Sequence, residues 1–131
     1  MRVALAVLTI GMVCSGCGGS SPKKTANALL KAASTGDVSA LTRLTHSLVL
    51  EEARVHAAMR GISISEYVLE SFTGGASALR GLSWKIESAT EIPEGSAIVR
   101  YTAEIHGYQK TGLHMLLALD DGEWKFVSFL Q

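Results

Sequence analysis

The chain has 131 residues, enough for one domain, with twelve basic and twelve acidic side chains. Because these charges balance, there is no basic excess to neutralise a phosphate backbone, which argues against nucleic-acid binding. Both cysteines, Cys14 and Cys17, precede the body of the chain. The body therefore has no thiol for a disulfide or a thiolate metal site, and we expect neither a metal nor a cofactor.

The first residues follow the pattern of an export signal. Arg2 is followed by eleven uncharged, mostly apolar residues, Val3 to Val13. This run is too short to cross a membrane as a helix, which needs about 20 apolar residues, but it is typical of a signal-peptide core. We therefore predict that residues 1–16 are a signal peptide.

The segment Cys14-Ser15-Gly16-Cys17 resembles the lipobox of bacterial lipoproteins, in which two small residues precede an obligatory cysteine. The resemblance implies that the Cys17 thiol receives diacylglycerol and that cleavage occurs just before Cys17. Two or more acyl chains, such as palmitate, would then anchor the protein to the cell membrane or the outer membrane. Residues 17–21 would form a short tether, and the domain would face the periplasm or the cell exterior.

Three alternatives to lipidation at Cys17 stay open: an ordinary signal peptide, an uncleaved anchor, and modification of Cys14. No A-x-A cleavage site follows the apolar run, which counts against an ordinary signal peptide. Bulky Val13 stands directly before Cys14 and suits a lipobox poorly. Cys14 itself stands where the family usually has leucine.

Residues 22–131 are predicted to form an α+β domain, with the helices first. Apolar residues recur at the helical spacing of i, i+3, i+4 and i+7 in its first half, between start and stop signals. In chain order these signals are Ser21-Pro22, Gly36, Asp37, the pattern from Ser47 to Arg60 with Gly61, the capping box of Ser63 and Glu66, and Gly74-Gly75.

The second half of the domain is predicted to be an antiparallel sheet, because the apolar period changes to two. The predicted strands are Trp84 to Ile92, Ser96 to His106, Thr111 to Leu119, and Glu123 to Leu130. Gly107 is expected to begin a turn region, and Asp120-Asp121-Gly122 marks a hairpin. Helices followed by a strand meander form an α+β pattern.

Two segments carry a family resemblance: Ala26 to Asp37, a helix that runs into Gly-Asp, and the closing Asp121-Gly122-Glu123-Trp124-Lys125-Phe126. They resemble the nuclear-transport-factor-2-like superfamily and, within it, small bacterial lipoproteins of unknown function. The resemblance implies a curved sheet wrapped around helices into a cone, whose hollow often holds a ligand or a catalytic site. The isomerases and dehydratases of the superfamily need an acid or a base inside that hollow.

Strand periodicity indicates which side chains point toward the helices. On the strand from Ser96, the apolar set is Ala97, Val99, Tyr101, Ala103 and Ile105, and it should face inward. The opposite set includes Arg100, Glu104 and His106, the cluster most like an active site, which should face outward. Periodicity leaves the facing of the strand from Thr111 open, because both of its faces are apolar.

Two further pairs of ionisable residues are predicted to have structural rather than catalytic roles. Glu52 and His56 are spaced i, i+4 on a predicted helix, which is usually a surface pair. Asp120 and Asp121 precede Gly122, which is typical of a turn.

Six aromatic residues are predicted to form the core or to line a ligand hollow: Tyr67, Phe72, Trp84, Tyr101, Trp124 and Phe126. An aromatic interior with few charges suits binding better than catalysis. We therefore expect a non-catalytic binding or interaction module whose partner is a cell-envelope protein or a small apolar molecule. An enzyme of isomerase or hydrolase type that uses the hollow is the alternative. A homodimeric structural component is a third interpretation.

Overall fold

The computed structural model describes residues 20–130, which form four helices followed by a four-stranded antiparallel sheet. The α+β prediction is thereby confirmed. The predicted signal peptide and Cys17 lie outside the described residues. Within residues 20–130 the helices are all too short or too polar to cross a membrane. The helices are α1 (Pro22–Thr35), α2 (Val38–Arg43), α3 (Ser47–Arg60) and α4 (Ile64–Thr73), and the strands are β1 (Ser83–Ile92), β2 (Ser96–Ile105), β3 (Tyr108–Asp120) and β4 (Glu123–Leu130).

Side-chain caps begin the helices where the sequence predicts them. The Ser21 hydroxyl accepts a hydrogen bond from the Lys24 N–H, and Asp37 accepts one from the Ala40 N–H. Ser63 and Glu66 form the reciprocal capping box. Each of these caps satisfies N–H groups that have no partner inside the helix.

The strands are ordered β1-β2-β3-β4, so that each strand pairs with its neighbours in sequence. β3 begins at Tyr108, three residues before the predicted Thr111. The reason is that His106 and Gly107 both have positive φ, 51° and 84°, and close the β2–β3 connection as a two-residue turn. The predicted longer turn region after Gly107 is therefore wrong.

The core lies between α1 and the inner face of the sheet. On β2 the side chains of Ala97, Val99 and Tyr101 are buried, as periodicity predicts, and Arg100 on the opposite face is exposed. On β3, Met115 and Leu117 are fully buried, which settles the facing that the sequence left open. The inner face of the sheet and the buried face of α1 therefore form one continuous apolar layer.

The start of the described chain is bonded to the last strand. The Trp124 N–H donates to the Ser20 hydroxyl at 2.9 Å, and the buried Thr25 hydroxyl donates to the Trp124 carbonyl at 3.1 Å. Ser20 and Ser21, which the sequence places in the tether, thus make hydrogen bonds within the domain. Two glycines, Gly18 and Gly19, separate Cys17 from the first of these residues.

Candidate functional site

An apolar cavity of about 300 Å³ lies between α1 and the inner face of the sheet. We call it the inner cavity. Its volume is at the lower end of the range of about 300–1,000 Å³ that is usual for small-molecule sites. Its walls come from α1, the end of α4, the segment before β1, and strands β2 to β4: Leu29, Leu30, Ala33, Ser71, Phe72, Leu79, Leu82, Tyr101, Ala103, Leu113, Met115 and Phe129.

Tyr101 supplies a polar group to this apolar lining. The residue is 5% exposed. Its hydroxyl has no hydrogen-bond partner among residues 20–130, and burial alone raises the pKa of the Tyr101 phenol above its ordinary value. Buried tyrosine hydroxyls usually have a partner, because an unsatisfied one loses its hydration without compensation. Within residues 20–130, therefore, no protein group satisfies the Tyr101 hydroxyl, and a water molecule or a bound ligand could do so.

The other polar group of the inner cavity is already engaged. The Ser71 hydroxyl donates to the Tyr67 carbonyl of its own helix at 2.8 Å. No carboxylate, imidazole or ammonium group is present among the described residues that line the cavity. The lining thus suits an apolar molecule with one hydrogen-bonding atom better than a proton-transfer reaction.

A second cavity, of about 290 Å³, adjoins the first between α3, α4 and β4. We call it the side groove. Its lining is more polar and includes Glu52, His56 and Tyr67 together with apolar side chains. The His56 and Tyr67 rings are stacked, with centroids 5.8 Å apart and planes 9° apart. Glu52 and His56 are both exposed, as predicted for surface residues, and they also line this groove.

Ser71, Phe72 and Phe129 belong to both cavities and separate them. The rings of Phe72 and Phe129 meet edge to face, with centroids 5.6 Å apart. Phe126 packs against both rings, at 4.6 Å and 4.8 Å. Phe129 is 39% exposed, so its ring is packed less tightly than the ring of the buried Phe126. The partition between the cavities is therefore a few aromatic rings thick.

Phe129 is the site residue that strand periodicity misses. Strict alternation from Trp124 and Phe126 would put Phe129 on the outer face. A bulge changes this, because Leu117 pairs with Phe126 whereas Leu116 pairs with Ser128. The extra residue reverses the facing of everything after it, so Phe129 points inward.

Of the six predicted aromatic residues, four line a cavity and the two tryptophans line neither of the two cavities. Phe72 and Tyr101 line the inner cavity, and Tyr67, Phe72 and Phe126 line the side groove. Trp124 lines neither cavity and is buried in the core. Trp84 is half-buried, and its indole N–H donates to the Asn27 side-chain oxygen at 2.8 Å, which ties β1 to α1.

The ionisable residues of the outer sheet face take no part in either cavity. Arg100 and Glu104 are exposed, as the periodicity of β2 predicts, and His106, predicted to belong to this strand, is exposed in the β2–β3 turn. Among residues 20–130 there is no group of histidine and carboxylate side chains placed to bind a metal ion.

Ser20 and the inner cavity lie toward opposite ends of the sheet. Ser20 is bonded at the β3–β4 hairpin, and Leu119 of β3 donates its N–H to the Gly95 carbonyl of the β1–β2 hairpin. The cavity is lined by Ala103 and Leu113, close to the β2–β3 turn. From Ala97 to Ala103 the strand rises by about 20 Å.

Comparison with known proteins gives no relative: no family model, curated protein or solved structure matches the chain. The resemblances to bacterial lipoproteins and to the nuclear-transport-factor-2-like superfamily therefore stay predictions.

Proposed function

We propose that this chain is a bacterial lipoprotein, anchored through Cys17, whose domain is a non-catalytic module that binds a small, mostly apolar molecule in the inner cavity. The observation that carries the binding function is the Tyr101 hydroxyl, which has no partner among residues 20–130 and belongs to a mostly apolar cavity. Such a lining favours a ligand with an apolar body and one atom that can hydrogen-bond to the phenol.

We further propose that the sheet and helices form a nuclear-transport-factor-2-like cone. The support is that α1 packs on the inner face of a four-stranded antiparallel sheet and that a cavity lies between them. The bulges between the paired strands also favour this fold, because bulges bend and twist a sheet.

The position of the cavity fits a tethered protein. With Cys17 lipidated, Ser20 would stand at the membrane end of the domain, and the inner cavity would lie toward the other end of the sheet. We therefore expect the ligand to enter from the aqueous side or from a partner protein. The apolar interior of the bilayer is less suited as its direct source.

A matched pair of probes tests the binding function: ethylbenzene, and 4-ethylphenol, which adds one hydroxyl. The lipidated protein in nanodiscs of zwitterionic lipid would be titrated by calorimetry, with empty nanodiscs as the blank. We expect wild type to bind 4-ethylphenol roughly fivefold more tightly than ethylbenzene, the effect of about 1 kcal/mol for one net hydrogen bond. In Tyr101→Phe this advantage of 4-ethylphenol should be lost, because its hydroxyl no longer has a partner.

The thermal stability of Tyr101→Phe separates a binding role from a structural one. Removing an unpartnered buried hydroxyl leaves no protein group unsatisfied, so the melting temperature should stay the same or rise. A clear fall in melting temperature would show that the hydroxyl has a protein partner. Failure of both probes to bind wild type would refute the binding function.

A further inference from the structure

Resting on the proposed function, we infer that the inner cavity and the side groove are two halves of one site, and that its ligand is an amphiphilic amine. The apolar body of the ligand occupies the inner cavity, and its cationic end lies in the side groove against Glu52. Each half supplies what the other lacks. The inner cavity has apolar surface and a hydrogen-bonding phenol, and the side groove has charge.

The size of the two cavities supports a shared ligand. At about 290 and 300 Å³, each alone is at the lower limit of small-molecule sites, whereas the two joined fall well within the usual range. They are separated by the rings of Phe72 and Phe129, of which Phe129 is partly exposed. The shared site requires the partly exposed Phe129 ring to rotate away from Phe72 and so connect the two cavities.

The arrangement of the strands sets the shape of the ligand. Tyr101 lies on β2 and Phe129 on β4, with β3 between them. Two strand spacings separate β2 from β4 by about 10 Å. A ligand that reaches from the Tyr101 hydroxyl past Phe129 is therefore elongated, with its polar groups at its two ends.

The charge of the side groove favours a cation. Glu52 lines it and belongs to neither ion pair found in residues 20–130, which join Arg54 to Glu51 and Arg60 to Glu70. The groove has no lysine or arginine in its lining. Tyr67 and Phe129 line the same groove, and aromatic rings attract ammonium groups that reach their faces. A carboxylate and aromatic rings together form a typical environment for an amine.

Tyramine tests this inference, because it is 4-ethylphenol with an added ammonium group. It would be titrated into the same nanodiscs together with 4-hydroxyphenylacetate, which carries a negative charge on a similar skeleton. We expect wild type to bind tyramine about three- to tenfold more tightly than 4-ethylphenol, in line with one exposed ion pair and one cation–π contact. The anion should bind more weakly than 4-ethylphenol.

The variant Glu52→Gln should reduce the advantage of tyramine over 4-ethylphenol to less than twofold. Glu51→Gln is the matched control, since Glu51 is the neighbouring carboxylate of the same helix and lines neither cavity. It should behave like wild type toward both probes.

The outcomes separate this inference from the function it rests on. If 4-ethylphenol binds but tyramine has no advantage, or if Glu52→Gln keeps that advantage, the shared site is refuted and the apolar cavity stands. If neither probe binds wild type, both proposals are refuted.

Discussion

Asp120 connects the β3–β4 hairpin to the first turn of α3. The Ser47 N–H donates to Asp120 Oδ2 at 2.8 Å, and the Ser47 hydroxyl donates to Oδ1 at 3.2 Å. Beside it, His46 accepts from the Leu48 N–H through Nδ1, so its Nε2–H is left to donate to the Leu119 carbonyl at 3.2 Å. The sequence predicts Asp120 to be a turn residue. Its second role, as a cap for α3, could not be predicted, because Ser47 and Asp120 come together only in the folded domain.

This capping carboxylate should make stability depend on pH. The backbone hydrogen bond from Ser47, with smaller contributions from the Ser47 hydroxyl and nearby His46 and Lys125, lowers the pKa of Asp120 below its ordinary value. A lowered folded-state pKa stabilises the fold above the ordinary pKa of aspartate, and this stability is lost as the pH falls through the folded value. Between about pH 6 and about pH 3, the melting temperature of wild type should therefore fall by more than that of Asp120→Asn.

Asp121→Asn is the control for that experiment. It removes the same charge from the same hairpin, and asparagine tolerates the positive φ of 55° found there. Its pH dependence should follow that of wild type. An Asp120→Asn protein with the wild-type pH dependence would show that the carboxylate does not cap α3 in solution.

At the scale of elements, the segment before β1 can pack closely against the end of α1 because residue 36 is a glycine. Gly36 ends α1 with a φ of 76°, and a Cβ atom added there would lie 2.5 Å from the Ser77 carbonyl oxygen. The Leu79 N–H donates to the Ala33 carbonyl at 2.9 Å beside it. Because Leu79 lines the inner cavity, the end of α1 positions one of the cavity walls.

Gly36→Ala should destabilise the domain more than Gly61→Ala. Both glycines end helices in the left-handed region, where a side chain costs about 1–2 kcal/mol. A Cβ at Gly61 meets nothing within 4 Å, so only Gly36 adds a steric clash. Urea denaturation measures the free energy of unfolding of each variant, and the difference between Gly36→Ala and Gly61→Ala gives the cost of the clash. Equal losses would mean that the segment around Ser77 moves aside freely.

The ends of the helices could be predicted from the sequence, because the residues that mark them lie close together in the chain. Helix ends depend on a cap or a glycine within a few residues, so Ser21, Asp37, Ser63 and Gly74 could be assigned without the fold. Strand facing was predictable only up to the first bulge. Past a bulge the facing reverses, and the position of a bulge depends on pairing with another strand, which no short segment encodes.

At the scale of the whole molecule, the proposed anchor determines where the domain works. Cys17→Ser should abolish fatty-acid labelling and leave an unprocessed precursor, because the modified thiol is missing. Cys14→Ser is the matched control and should be labelled and processed like wild type. Metabolic labelling with a radioactive fatty acid, followed by gel electrophoresis, measures both effects. Normal labelling of the Cys17→Ser protein would refute lipidation at that residue.

The two cavities illustrate what only the complete fold reveals. The inner cavity brings together Leu30, Leu79, Tyr101 and Phe129, which are far apart in sequence and lie on four different segments. Periodicity predicted that Tyr101 points inward, but not that its hydroxyl has no partner in the part of the chain that the structure describes. That property depends on every neighbour of the ring, and most of these neighbours come from other elements.

The Trp124 peptide also joins the two ends of the described chain. Its N–H and its carbonyl both bond to the first described segment, to Ser20 and Thr25, across about a hundred residues of chain. Until β4 has been synthesised, Thr25 has no acceptor for its buried hydroxyl and α1 has no strand to cover its end. Closing so long a loop is slow compared with forming local helices. If the chain is exported, as proposed above, late closure of this loop would favour an unfolded state while the chain crosses the membrane.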